Sequence, residues 1–264
     1  MRRPVAAVAA GCAIVVLSAV ACSGTPAAPT AAGPAATPGA ATTPSAPRTT
    51  PARGFTVRGD RRVLPNGSQD TQAQAAGAAC DSAQFAADKS LGSEIAGGFA
   101  TGGFPAAASL LRHFLAGPGT GINYPAGSRI SRLAGASSAF QAVNEQVQAA
   151  IAGQLKAGDV QVELSAGQLP TVTFSLTSSD LYWSFRGTQG LTVSGSGSRK
   201  SGRYVGSLTY VIRDSYGFPA GDTLGGFGPP MRYLQTACGA PQHAGGAHWF
   251  PDTVTVVVPF DHPA

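Results

Sequence analysis

Residues 138–164 read Ser-Ala-Phe-Gln-Ala-Val-Asn-Glu-Gln-Val-Gln-Ala-Ala-Ile-Ala-Gly-Gln-Leu-Lys-Ala-Gly-Asp-Val-Gln-Val-Glu-Leu, and the hydrophobic period changes inside them. Phe140, Val143, Val147, Ile151 and Leu155 recur at spacings of three and four, the signature of a helix with one apolar face. Ser138-Ala139-Phe140-Gln141 resembles a capping box, and Gly158 supplies a stop. From Val160 to Leu164 apolar and polar residues alternate instead, which is the period of a strand. A helix that ends where strands begin is the pattern of an α+β domain.

The chain on either side extends this reading. Upstream, Phe104, Ala107, Leu110, Leu111, Phe114 and Leu115 have helical spacing. Pro105 suits a first turn, and Gly117-Pro118-Gly119 ends the helix. Downstream, strands are expected at Thr171–Leu176, Leu181–Arg186, Leu191–Ser196 and Tyr204–Arg213, with turns between them. Val205, Leu208, Tyr210 and Ile212 do not share one parity, which suggests a bulge or burial on both sides. A short helix after Pro229-Pro230 would carry Met231, Leu234 and Cys238. Thr253–Val258 makes a last, very apolar strand. Short connections favour antiparallel hairpins. The expected fold is α+β, an antiparallel sheet of about five to six strands with two or three helices packed on one face.

The N-terminal part has a different character. Arg2 and Arg3 precede an apolar run from Val5 to Leu17, and Ala19-Val20-Ala21 leads into Cys22. A basic start, an apolar stretch and small residues at the end describe an export signal, here residues 1–21. The run falls short of the roughly 20 residues needed to span a bilayer. Ala19-Val20-Ala21-Cys22 resembles the lipobox of bacterial lipoproteins, with Ala19 and not the usual Leu three residues before the cysteine. The resemblance implies a diacylglyceryl group on the Cys22 sulfur, an acylated first residue, and a location on the outer face of the cell membrane. Residues 22–74 are then a lipidated cysteine and a Pro/Ala/Thr-rich tether, and residues 75–264 a single globular domain. Pro-rich linkers of this kind are partly extended. Arg53, Arg58, Arg61 and Arg62 fall at the end of the tether, where they are either solvated or in contact with anionic headgroups or wall polymers.

Of the four cysteines, Cys12 lies within the signal and Cys22 is the acylation site. Cys80 and Cys238 remain, and in an exported protein such a pair is most simply a disulfide. The net charge is +5 and only 12% of residues are charged. No basic run with interleaved aromatics occurs, which argues against a nucleic-acid partner.

Signatures of catalysis are sparse. There is no GxSxG elbow, HExxH, phosphate-binding loop or CxxC, and the Gly-rich Gly117–Gly121 follows a helix, not a strand. His243 and His248 are five apart in a Gly-rich loop without a carboxylate cluster. His113 and His262 stand alone, so no metal or cofactor is expected. Arg213-Asp214-Ser215-Tyr216-Gly217-Phe218 is the exception. At a strand end Asp214 could act as general base and Tyr216 as hydrogen-bond donor, with His243 or His248 as a third group. The segment resembles the Asp-x-Tyr-Asp stretch of colicin M-type toxins, which cleave a lipid-linked wall precursor, but Gly217 stands where that family has a second Asp. The alternative is a turn in which Asp214 pairs with Arg213 or Arg203. Arg112–Gly119, Leu181-Tyr182-Trp183 and Asp214–Phe218 together resemble exported actinobacterial proteins of unknown role, a resemblance that implies no activity.

Three functions remain open at this point. The first is a lipid-anchored, non-catalytic module that binds an envelope polymer or protein. The second is an envelope hydrolase built on Asp214, Tyr216 and His243. The third is a carrier of an apolar ligand held between the Phe140–Leu155 helix and the sheet.

Overall fold

The structure, a computed structural model, describes residues 54–62, 79–158, 160–176, 180–185, 190–218, 226–239 and 243–264. The expectations for Cys22, Arg53 and the Pro/Ala/Thr tract fall outside them. In chain order the elements are β1 (Gly54–Arg62), α1 (Ser82–Thr101), α2 (Pro105–Ala116), β2 (Ile122–Tyr124), α3 (Arg129–Ala136) and α4 (Ser138–Ala157). There follow β3 (Gln161–Leu164), α5 (Asp180–Ser184), β4 (Gly190–Lys200), β5 (Arg203–Tyr216), α6 (Gly228–Thr236) and β6 (Phe250–Pro263). The fold is α+β, as expected, and among the described residues six strands are ordered β2-β6-β5-β4-β1-β3.

The sheet is mixed. β1, β4, β5 and β6 form a continuous antiparallel ribbon, and the short edge strands β3 and β2 pair parallel with β1 and β6. β1 corrects the sequence reading, which left residues 54–62 in the tether. Its alternation is plain in place: Phe55 and Val57 are buried, while Thr56 and Arg58 are exposed. Flanking arginines and a Pro-rich approach hide those two apolar residues in a composition average. Arg61, expected to be solvated, donates from Nη1 to the Leu169 carbonyl at 2.7 Å.

Every strand turns one face inward. β5 buries Leu208, Tyr210 and Ile212, and β6 buries Val254, Val256 and Phe260. Val205, which broke the expected parity, is simply exposed on the outer face, so β5 needs no bulge. The inner face of β4 and β5 has glycines at Gly197 and Gly206, which pair with one another. A Cβ at Gly197 would stand 2.6 Å from the Phe55 ring, so this aromatic fills the space a side chain would otherwise take.

Among the described residues, helix side chains pack against the inner face in two clusters. α4 contributes the expected stripe of Phe140, Val143, Val147, Ile151 and Leu155, each at most 4% exposed. Its N-cap is Ser137, whose hydroxyl accepts from the Phe140 amide, one residue before the expected start. A second cluster at the other end joins Leu110, Leu111 and Phe114 of α2 with Met231 and Leu234 of α6 and Phe250 of β6. Tyr124 packs against both clusters.

Two expected strands are absent. Thr171–Leu176 buries Val172 and Phe174 but forms no ladder, because alternation records a buried side and not a paired backbone. Leu181–Arg186 contains the one-turn helix α5, with Leu181, Ser184 and Phe185 buried at helical spacing. Short apolar runs do not distinguish the two. α1 went unread for the opposite reason: its buried residues are Gly92 and Ala96, too small to mark a stripe. A Cβ on Gly92 would meet Leu115 at 2.8 Å and Met231 Sδ at 3.0 Å, so the absence of a side chain sets how closely α1 approaches α2 and α6.

Candidate functional site

The Asp214–Phe218 segment does not end at a rim. β5 runs on to Tyr216, and Asp214 has the inward parity of Tyr210 and Ile212, with 6% of its surface exposed. The Tyr216 ring stacks on Phe250 at 5.4 Å and 20°, with Phe114 and Phe218 edge-on to it. The expected arginine partners are engaged elsewhere. Arg203 binds Asp261 at 2.5 Å, and Arg213, on the outer face, donates to the Thr192 hydroxyl.

What stands opposite Asp214 is a second carboxylate. Asp214 and Asp252 are direct cross-strand partners on β5 and β6, both on the inner face. Asp252 is 1% exposed, and neither of its oxygens meets a hydrogen-bond partner among the described residues. Burial raises its pKa well above the usual carboxylate range, and the charge of Asp214 raises it further; its own amide dipole opposes the shift. Tyr124 is likewise pushed up, first by burial and then by Asp252 and Asp180. The sequence reading missed Asp252, although its signal was present: Asp252 shares parity with Val254 and Val256 in the most apolar strand of the chain.

Asp180 has a structural role. Its carboxylate accepts from the amides of Ala106 and Ala107 at the start of α2, at 3.2 and 2.9 Å, and binds Arg129 Nη1 at 2.7 Å. It caps a helix whose own N-terminal residue, Phe104, has no side-chain acceptor. The histidines are dispersed. His243 lies 4.6 Å from the Phe85 ring, His248 contacts the Trp249 carbonyl, and His113 contacts the Thr120 carbonyl and sits edge-on to Phe250. His262 stacks on Phe260. Among the described residues no three His, Cys, Asp or Glu side chains converge to hold a metal. Cys80 and Cys238 are bonded, with Cα atoms 5.0 Å apart, joining the start of α1 to the end of α6.

The outer face of the sheet has the opposite character. Across β3, β1 and β4 two rungs face outward, Gln161–Thr56–Ser196 and Glu163–Arg58–Ser194. These six residues, with backbone from Val57 and Gly195, line a groove of about 620 Å³. One cation, one anion, one amide and three hydroxyls give it donors and acceptors on both sides with no net charge.

The chain matches no family model, no curated protein and no solved structure.

Proposed function

We propose that this is a lipid-anchored, extracytoplasmic binding module, held at the membrane by Cys22 and engaging a neutral, hydroxyl-rich envelope polymer through the outer face of its sheet. The observation that supports this most is the contrast between the two faces. Of the candidate catalytic groups, Asp214 is buried and Tyr216 is half-buried with its ring stacked on Phe250, whereas a polar groove opens on the outer face. The planar groups of Arg58, Gln161 and Glu163 suit paired hydrogen bonds to neighbouring hydroxyls, and the serine and threonine hydroxyls can donate or accept. A groove with balanced charge favours a neutral chain over a polyanion.

The hydrolase reading would require Asp214 and Tyr216 to reach a substrate, and each is packed in the core or in an aromatic cluster. For an apolar-ligand carrier, the space beneath α4 already holds side chains. Phe140 meets Tyr210 edge-on at 5.1 Å, and the Tyr210 hydroxyl donates to Asn144 Oδ1 at 2.9 Å.

Cosedimentation of the full chain with insoluble cell-wall polysaccharide tests the proposal. Arg58→Ala combined with Glu163→Ala should abolish retention, and Asp214→Asn should leave it intact. Retention of the double variant at wild-type level, or its loss in Asp214→Asn, would refute the outer-face site. In the same preparation Cys22→Ala should move the protein from the detergent phase to the aqueous phase.

A further inference from the structure

An anchor at Cys22 does not by itself say which end of the domain meets the membrane, but the register of the sheet gives a direction. The chain arriving from Cys22 enters the sheet at Gly54, and Gly54 pairs with Ser198 near the end of β4. Just beyond Ser198, β4 turns into β5. Lys200 pairs with Arg203, and Ser201 and Gly202 between them have φ of 48° and 74°, the tight loop whose twist suits a hairpin. The tip is held from its other side as well: Arg203 pairs with Pro263 of β6, and the Ala264 amide donates to the Gly202 carbonyl. α4 ends at the same place, since the Tyr204 hydroxyl donates to the Leu155 carbonyl at 3.0 Å and Lys156 follows, exposed.

Cations collect at this end. Arg199, Lys200 and Arg203 are exposed, as Lys156 is. Asp261 pairs with Arg203 at 2.5 Å, but among the described residues no carboxylate pairs with Arg199 or Lys200. The Arg199 guanidinium lies over the Tyr204 ring at 5.9 Å, which holds it in place while leaving its charge unmatched. The arginines of β1 serve elsewhere: Arg58 lines the outer groove and Arg61 binds the Leu169 carbonyl.

We propose that the β4–β5 hairpin end is the membrane-facing end of the domain, with Arg199 and Lys200 resting on the phosphates of anionic lipid headgroups and Lys156 beside them. This rests on the Cys22 anchor proposed above. A tether confines the domain to the solvent next to the bilayer, so a contact too weak to recruit a free protein is enough to orient one already held. Each cation adds attraction to an anionic surface, and that attraction fades over about 8 Å at physiological ionic strength. In this pose the strands stand away from the membrane, and the groove rungs Gln161–Thr56–Ser196 and Glu163–Arg58–Ser194 run parallel to it. Ser196 lies about 13 Å along β4 from Lys200 at the usual strand rise, so docking leaves the groove open to a polymer.

The lysines of the chain, Lys89, Lys156 and Lys200, allow a direct test. Lys89 is on α1, where it donates to the Gly245 carbonyl. The full chain is incorporated into phosphatidylglycerol or phosphatidylcholine vesicles and treated with an amine-reactive label, and each lysine is read by mass spectrometry. Lys200 should be protected on phosphatidylglycerol relative to phosphatidylcholine, and Lys89 should react equally on both. Arg199→Gln should lower the protection of Lys200 about fivefold, and high salt should remove it. Equal reactivity of Lys200 on the two vesicles, equal protection of Lys89, or unchanged protection of Lys200 in Arg199→Gln would overturn the proposal. So would protection of Lys200 by inorganic phosphate or an acidic wall polymer added to phosphatidylcholine vesicles, since the tip would then be an anion site that needs no membrane. Flotation with phosphatidylcholine vesicles reads the anchor separately: a chain that does not float refutes the Cys22 reading, and the footprint on phosphatidylglycerol still decides the tip.

Discussion

Phe55→Ala is the sharpest test of the fold, because it separates a strand from a tether. Phe55 is 3% exposed, and its ring packs edge-on to Phe260 at 5.6 Å and Tyr204 at 6.0 Å. Phe→Ala in a core costs about 3–5 kcal/mol, the larger losses arising where neighbours cannot close the gap. Here the floor of the site is Gly197, paired with Gly206, and neither has a side chain that could move in. The expected loss is therefore about 4–5 kcal/mol, a large part of the 5–15 kcal/mol that holds a typical domain together. Urea unfolding should show the midpoint fall with an unchanged slope. Thr56→Ala, one residue on and facing outward, should shift stability by no more than about 0.5 kcal/mol. If the two substitutions cost the same, or if Phe55→Ala costs less than about 1.5 kcal/mol, β1 is not part of the sheet.

Other perturbations have equally definite outcomes. Replacing Cys80 and Cys238 together by Ser reopens a span of 158 residues, which should cost about 5 kcal/mol by loop entropy, read as the difference in urea midpoint without reductant. Asp180→Ala removes the acceptor for two α2 amides and the partner of Arg129; it should cost about 2–3 kcal/mol, and Asp180→Asn, which keeps one acceptor, should recover part of that in the same assay.

α4 was legible in the sequence, and α1 and α3 were not. Phe140 to Leu155 announces α4 because each inward residue is big and apolar. α1 fully buries only Gly92 and Ala96, and its larger contact residues, Phe85, Ile95 and Phe99, are half-buried, so the stripe is weak in the sequence. β5 and β6 were legible for their apolar and β-branched content, although β6 runs well beyond the expected Thr253–Val258, whereas β1 was obscured by the arginines that flank its two core residues. Thr171–Leu176 and Leu181–Arg186 show the limit of short patterns: burial on one side looks the same whether the backbone is paired, unpaired or wound into one turn. Of the candidate site, the disulfide partners were readable by elimination and Asp214 by its place at the end of a strand. Asp252 was marked only by its parity with Val254 and Val256; that it stands opposite Asp214 is a matter of register, which is a property of the folded sheet.

The edges of the sheet have a consequence for how the protein behaves among its own copies. β6 is 14 residues long, yet β2 covers only its Asp252–Val254 stretch. Along the rest, the Ser131 hydroxyl donates to the Thr255 carbonyl at 2.7 Å, Gln148 reaches the Pro259 carbonyl at 3.4 Å, and Pro259 itself has no N–H to offer. At the opposite margin, β3 is four residues long and Gln154 donates to the Glu163 carbonyl. A strand arriving from another molecule would meet short stubs and acceptors already in use, with little backbone to copy. Molecules crowded at high local density can then sit side by side without their sheets fusing into aggregates.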